Sequence, residues 1–412
     1  MAKAGPRASA VSLDEGRRRL HLVAVLPSIE PYSEDGGAIA TVAREVARSW
    51  LEIGHRVTVV APRSEAPPYP AGDTATVMLA GGLPLQLARH MSDRLALRRA
   101  DWPDHRAYLH GVRRVLASLD PPGDAVFVHN DPVAIRSLRA ASPSARWVQW
   151  LHNAVTSQHG DTGALLLAHD AVVAVSRYVA GWTEASHGLP AGMVVVAHNG
   201  VDLERFRPSD AARDRSAPLR VVCHGRIDPN KGFHLVAAAV AALSARGIPI
   251  ELTVAGPVQT FGLGAAATAT YRDELLALVE VAGGRYLGRV PPDDVPALLL
   301  AADVACAPSL VPDPCPLVAL EAMGSGCALL TSGRGGLAEL VGDSGVTVDP
   351  DDLTTVVTAL ERLARDPDHL VERKAAARRR AERFPWGATA AGVLAAAFPG
   401  PRGTWSPGAV AV

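Results

Sequence analysis

Two short stretches place charged residues where a ligand would sit. "GRIDPNKG" (225–232) follows an apolar run and precedes a helical one, and it carries two cations, Arg226 and Lys231. Backbone N–H groups at a helix start, the helix dipole and two cations together favour a diphosphate. The glycine and lysine spacing and the missing Ser or Thr are wrong for a Walker A loop, and a basic surface loop would show the same spacing. "DPCPLVALEAMGSG" (313–326) sets Asp313 and Glu321 on either side of a loop-to-helix junction. Pro312 and Pro314 hold an extended loop, Pro316 suits the first turn of a helix, and "PLVALEAM" continues at helical spacing. Two carboxylates so placed do not share one helical face, so paired acid–base catalysis is disfavoured. They suit two separate grips on one ligand, because carboxylates accept hydrogen bonds from sugar and ribose hydroxyls.

Two weaker signals lie in the first half. "SEDGGA" (33–38) opens a helix, and Gly36 and Gly37 would let a ligand approach the backbone there. It is not GxGxxG, so no dinucleotide is indicated, and many βα turns use glycine for geometry alone. His152 in "WLHN" ends a predicted strand, where it could polarise or donate to a reacting oxygen. A lone histidine is more often structural. The 14 histidines show no HExxH pattern and no ligand spacing, so a metal site is not expected.

The elements that must position these residues alternate. Short apolar runs and longer amphipathic segments succeed one another, which reads as βα units with parallel sheets covered on both faces. Strands are expected at 20–28, 55–62, 125–130, 146–153, 170–176 and 192–202, with a helix over 37–54. A polar, Pro-flanked break, "RPSDAARDRSAP" (207–218), suits an inter-domain linker. Strands follow at 219–225, 250–256, 285–290, 303–309, 327–333 and 345–350, with a helix from Gly232 to about Arg246 and long helices at about 351–365 and 369–383. The expected fold is α/β, with two doubly wound Rossmann-like domains facing each other across a cleft, and ligands bound outside the carboxyl ends of the strands. The boundaries expected are a disordered arm over 1–19, a first domain over 20–206, a second over 207–382, a terminal helix over 383–399 and a tail over 400–412.

Composition excludes several classes. The chain has 412 residues, 48% hydrophobic and 20% charged, with a net charge of −1. Length favours two domains, and near-zero charge gives no bulk attraction to nucleic acid or an acidic membrane. Cys223, Cys306, Cys315 and Cys327 form no CxxC pair, which fits a reducing cytoplasm. No apolar signal region opens the chain and no apolar run is long enough to span a bilayer. The arginine-rich stretch 89–114 reads as a solvated helical face, or as a patch for an anionic acceptor or a membrane surface.

Taken together, "GGAIATVAREVARSWLEIGHRVTVV", "WLHN", "DAVVAVSRYVA", "NGVD", "GRIDPNKG" and "PSLVPDPCPLVALEAMGSG" occur in the order and spacing of a known family. From about Leu20 to Pro399 the chain resembles the retaining GT-B glycosyltransferases of glycosyltransferase family 4. "RFPWGATAAGVLAAAF" (383–398) resembles that family's last helix, which crosses back to the N-terminal domain. The resemblance implies transfer of a sugar from a nucleoside-diphosphate sugar, UDP or GDP, to a hydroxyl acceptor with retention of configuration, without a metal or other cofactor. It makes Arg226 and Lys231 the clamp on the diphosphate, and Gly36 and Gly37 the loop approaching the donor phosphate. Glu321 is implied to hold the ribose, Asp313 and His152 to lie at the reacting sugar, and Val290 to contact the base by its backbone. Cys315, Leu317 and Val318 are implied donor contacts. Here Asp313, Pro314, Cys315 and Pro316 stand where the family reads Glu-x-Phe-Gly, which shortens the acid by one methylene and removes a backbone donor. A nucleotide-sugar 2-epimerase shares the fold, but its acid–base pairs are not evident. A non-catalytic nucleotide-sugar binder or a pseudo-glycosyltransferase is kept open by the altered 313–316 segment. The acceptor, a glycan, lipid or natural product, and the oligomeric state are not read from these motifs. The Arg-rich stretch and 153–161 are candidates for shaping the acceptor site.

Overall fold

A computed structural model of the chain describes residues 18–34, 36–66, 69, 75–79, 103–155, 161–209, 214–260 and 262–399. Most of the expected N-terminal arm, the tail 400–412, residues 89–102 of the arginine-rich stretch and residues 156–160 lie outside the described residues.

Two all-parallel sheets carry the fold. In the first unit the elements are β1 (His21–Val25), α1 (Ala38–Glu52), β2 (Arg56–Pro62), β3 (Ala75–Leu79), α2 (Pro103–Ser118) and β4 (Ala125–His129). Then come β5 (Arg146–Leu151), α3 (Thr162–Leu167), β6 (Ala171–Ala174), α4 (Arg177–His187) and β7 (Val195–Val196). The strand order is β3-β2-β1-β4-β5-β6-β7. The second unit begins with β8 (Leu219–His224), α5 (Phe233–Ala245), β9 (Ile250–Ala255), α6 (Ala265–Val281), β10 (Arg285–Tyr286), α7 (Val295–Leu300) and β11 (Val304–Ala307). It continues through α8 (Leu317–Gly324), β12 (Ala328–Thr331), α9 (Gly336–Val341), β13 (Val346–Thr347), α10 (Leu353–Arg365), α11 (Pro367–Ala381) and α12 (Trp386–Ala397). Its strand order is β10-β9-β8-β11-β12-β13. This is the two-domain Rossmann-like architecture expected of the alternating pattern.

Each order reverses once, between β1 and β4 and between β8 and β11, and a doubly wound sheet opens a crevice at such a reversal. The central strands are apolar without alternation because helices cover both faces. Every residue of β1 and of β4 is buried. In α1 the buried positions Val42, Ala43, Val46, Ala47 and Trp50 recur at helical spacing and face the sheet. Asp352 caps α10 by accepting from Thr354 N–H (2.9 Å), and Asp366 caps α11 by accepting from His369 N–H (2.9 Å), with Pro367 in the first turn.

The terminal helix α12 packs on α1 of the first unit. Trp50 Nε1–H donates to Ala390 O (3.1 Å) and Arg146 Nε–H to Ala397 O (3.1 Å), which tie it there. The run 192–202, expected as a strand, pairs over only two residues. Beyond them the backbone finds partners elsewhere: Asn199 N–H donates to Cys315 Sγ (3.4 Å), and Val201 N–H donates to Phe384 O (2.8 Å). One apolar core runs from β1, β4 and β5 through α12 to α8 and α9, so the two units share buried surface. Among the described residues no helix is long and apolar enough to cross a membrane.

Candidate functional site

The loop after β8 is shaped by its glycine. Asp228 accepts from Asn230 N–H (2.9 Å) and closes the short turn Pro229–Lys231. Gly232 follows at φ +72, and a Cβ there would come within 2.4 Å of Pro308 O. Only glycine permits that conformation and that approach together. The result seats Lys231 against the loop after β11, where its Nζ donates to Asp313 Oδ2 at 2.5 Å. Ser309 Oγ donates to the same oxygen (3.2 Å), and Asp313 is buried. Arg226 Nη1 donates to buried Asp228 (3.1 Å) and to Gln259 O (3.2 Å). Both cations of "GRIDPNKG" are therefore held by carboxylates of their own unit.

Glu321 lies one turn into α8, and His224 Nε2 at the end of β8 is 3.4 Å from its Oε2. Gly225 touches the same helix, since a Cβ there would meet Val318 Cγ1 at 3.0 Å. The β8–β11 reversal thus brings Arg226, Lys231, Asp313, Val318 and Glu321 to one lip. Cys315 and Leu317 are buried in the shared core. Cys315 O accepts from Asn199 Nδ2 (2.8 Å) of the first unit, and burial pushes its thiol up to about 12.

The "DPCP" loop is braced from behind. Asp313 N–H donates to Arg334 O (3.2 Å) and Gly336 N–H to Asp313 O (2.7 Å). A Cβ on Gly336 would fall 1.7 Å from Pro314 O and 3.1 Å from Ser176 Cβ of the first unit. Gly336→Ala must displace this loop, so it is expected to lower kcat/KM for donor turnover at least tenfold while far-UV circular dichroism stays unchanged. Steady-state kinetics on the folded variant checks this.

In the first unit, Gly36 packs where a Cβ would lie 2.3 Å from Pro31 O. Gly37 N–H donates to Glu30 Oε1 (2.6 Å), and Ala40 N–H reaches the same oxygen (3.2 Å). The chain's own carboxylate occupies the start of α1, the position expected to receive a phosphate. Arg289 Nη2–H donates to Glu34 O (2.6 Å) across the cleft, so the loop carrying half-buried Val290 and the glycine loop are neighbours.

His152 stands just past β5, buried, with its ring against His129: His129 Nδ1 and His152 Nε2 are 2.8 Å apart. Its backbone N–H donates to Asn130 Oδ1 (2.7 Å). Desolvation holds both rings neutral, His129 down to about 3 and His152 well below its ordinary value, lowered further by His129. The bonds of His152 to His129 and Asn130 stay within the first unit.

Sequence reasoning missed Glu30, His129, Asn130 and Glu339. Glu339, on α9, accepts from the N–H groups of Arg177 (2.8 Å) and Tyr178 (2.7 Å), which open α4 in the first unit. It also pairs with His198 Nε2 (2.9 Å). A usable signal existed only for "HN" (129–130), a polar pair ending an apolar strand as "HN" (152–153) does. Among the described residues no group of three His, Cys, Asp or Glu is arranged to hold a metal.

Residues 218–366 match the family model "Glycosyl transferases group 1", and residues 36–205 match "Glycosyltransferase Family 4". A D-inositol 3-phosphate glycosyltransferase from Thermobispora bispora is 31% identical over 420 residues, covering 91% of this chain and 94% of that protein. A glycogen synthase from Mycobacterium tuberculosis is 30% identical over 254 residues, 60% of this chain but only 58% of that relative's length. Among solved structures, sucrose-phosphate synthase from Thermosynechococcus elongatus superposes with a TM-score of 0.72 at 20% identity, covering 91% of this chain and 97% of that one. Anabaena HepE in complex with UDP and glucose gives 0.66 at 18% identity, covering 91% and 98%. At these identities the two structures speak for the fold.

Proposed function

Because the chain belongs to the group 1 glycosyltransferases of family 4, we propose that it transfers a sugar from a nucleoside-diphosphate sugar to a hydroxyl acceptor with retention of configuration. The observation that carries this reading is the convergence of Arg226, Lys231, Asp313 and Glu321 at one strand-order reversal. The bond broken is sugar C1 to phosphate oxygen, and its electron pair stays on the departing diphosphate. Arg226 and Lys231 offset that charge where a metal would otherwise be needed, worth ~3–4 kcal/mol per preorganised donor. The acceptor hydroxyl oxygen bonds C1 from the face being vacated, and its proton passes to the leaving phosphate oxygen. No residue is then required as a covalent nucleophile. Glu321 accepts from the ribose hydroxyls, Val290 lies by the base, and His152 and Asp313 lie at the sugar. UDP is the favoured diphosphate because HepE, of the same fold, is solved with UDP and glucose. The four thiols are all buried and unpaired, which suits the cytoplasm.

The test is thermal shift across UDP, GDP and their hexoses, followed by turnover of the donor that shifts most. UDP or GDP raises the melting temperature, and EDTA leaves turnover intact. No shift with any nucleoside diphosphate would sink the reading, and turnover abolished by EDTA and restored by a divalent cation would overturn its metal-free form.

A further inference from the structure

We propose that His129 and Asn130, at the end of β4, are positioning residues for His152: Asn130 holds its backbone and His129 sets which ring nitrogen bears the proton. The inference rests on the placement of His152 at the reacting sugar.

Asn130 has φ +52, a left-handed conformation that asparagine tolerates and most residues avoid. That turn directs its two ends to one neighbour strand. Its N–H donates to Trp150 O (2.9 Å), and its Oδ1 accepts from His152 N–H (2.7 Å). The ladder between β4 and β5 ends at His129 and Trp150. Asn130 therefore continues the hold by side chain to a residue that has left the sheet.

His129 acts on the ring. The two imidazole planes are within 9° of parallel, with 2.8 Å between His129 Nδ1 and His152 Nε2, so one proton lies between those nitrogens. If His152 Nε2–H donates, His129 must carry its own proton on Nε2, which is buried with no partner. That would set another orphaned donor beside the indole N–H of Trp150, whose ring centroid is 5.0 Å from that of His129 and which is itself buried and unpaired. Buried donors without partners are rarer than acceptors left bare. The proton therefore belongs to His129 Nδ1, which donates to His152 Nε2. His152 then carries its own proton on Nδ1, which has no partner among the described residues, in a residue that keeps 7% of its surface exposed where His129 keeps 1%. At the reacting sugar, where the proposed function places it, His152 is then a fixed hydrogen-bond donor. It serves a sugar hydroxyl or developing oxyanion, not proton abstraction.

Nitrogen-15 spectra of the histidine rings in the full chain test this, with His152 assigned by its loss in His152→Ala. The expected wild-type state is Nδ1 protonated and Nε2 bare, and His129→Leu shifts His152 toward the Nε2–H form. Turnover is read as nucleoside diphosphate released from the nucleotide sugar that gives the largest thermal shift. His129→Leu is expected to lower kcat roughly ten- to a hundredfold, comparable with losing the partner that orients a ligating histidine. The donor KM stays within about threefold, because His129 is buried behind His152. His129→Asn, which keeps a donor near the Nδ1 position, recovers most of kcat. A wild-type Nε2–H tautomer overturns the proposal without any variant having to fold, as does a His129→Asn no better than His129→Leu. Wild-type kcat in His152→Ala instead removes the placement of His152 at the sugar, a separate failure with a separate signature.

Discussion

Lys231→Ala lowers kcat/KM for donor turnover by about 10²–10³-fold, the cost of removing one preorganised charge from a developing oxyanion. It also reduces the thermal shift given by UDP or GDP. Part of this loss has a second source that must be separated. Lys231 is the cation on buried Asp313, 2.5 Å away, and without it that carboxylate keeps, among the described residues, only the Ser309 hydroxyl as a side-chain partner. An unpaired buried charge is costly, so the melting temperature of the unliganded protein falls as well. Lys231→Met combined with Asp313→Asn removes both charges and is expected to recover the melting temperature without recovering kcat/KM. Recovery of kcat/KM in the double variant, or a single variant within threefold of wild type, would remove Lys231 from the diphosphate clamp. Arg226→Ala is expected to act in the same direction and to combine non-additively, since both cations face one leaving group.

Glu339→Ala is the second change with a large expected effect, and it acts across the domain seam. The Glu339 side chain is 14% exposed and receives two backbone N–H groups at the start of α4 and one ring nitrogen of His198. Desolvation works to raise its pKa. The hydrogen bonds from His198, Arg177 and Tyr178 outweigh that and hold it below its ordinary value. Behind it, Arg380 donates to Glu339 O (2.5 Å) and Leu340 O (2.8 Å), so α11 fixes the short helix that carries the carboxylate. Losing the carboxylate leaves the opening N–H groups of α4 unanswered against the other unit, worth roughly 1.5–3 kcal/mol for a bond to a charged group. The expected outcome is a wider apo envelope by small-angle scattering and a kcat/KM lowered about 10- to 100-fold, with each unit still folded. Glu339→Gln keeps an acceptor and is expected to lose less. Unchanged scattering and kinetics in Glu339→Ala would show that the seam is held without it. The sign with pH follows from the depressed pKa. The clasp is complete above the ordinary carboxylate value of 4.5 and is lost as pH falls through the lower folded value, so apo scattering should widen only in that acid range.

Much of the molecule was legible in residues alone. The runs around His21–Val25, Ala125–His129 and Leu219–His224 are mostly apolar, without strict alternation, because buried parallel strands need both faces covered, and that requirement is local. The two cations of "GRIDPNKG" and the carboxylates of 313–321 were visible as types and spacings. The run 192–202 misled because three valines satisfy a strand pattern whether or not a partner strand exists. Here the partners of its second half are Cys315 and Phe384, far away in sequence.

By itself the sequence determined the alternation of strands and helices, the order of the motifs and hence the family, because each depends on neighbours within one turn or one strand. Tertiary structure alone decided which motifs meet. Strand order puts β8 beside β11, and that pairing, across some 80 intervening residues, sets Lys231 on Asp313 and His224 beside Glu321. It likewise puts β4 beside β5, so that His129 and Asn130 grip His152, and brings Glu339 to the start of α4. No local pattern encodes such contacts, since a carboxylate capping its own helix and one capping a helix of the other domain look the same in sequence. Only the folded geometry shows which N–H it answers.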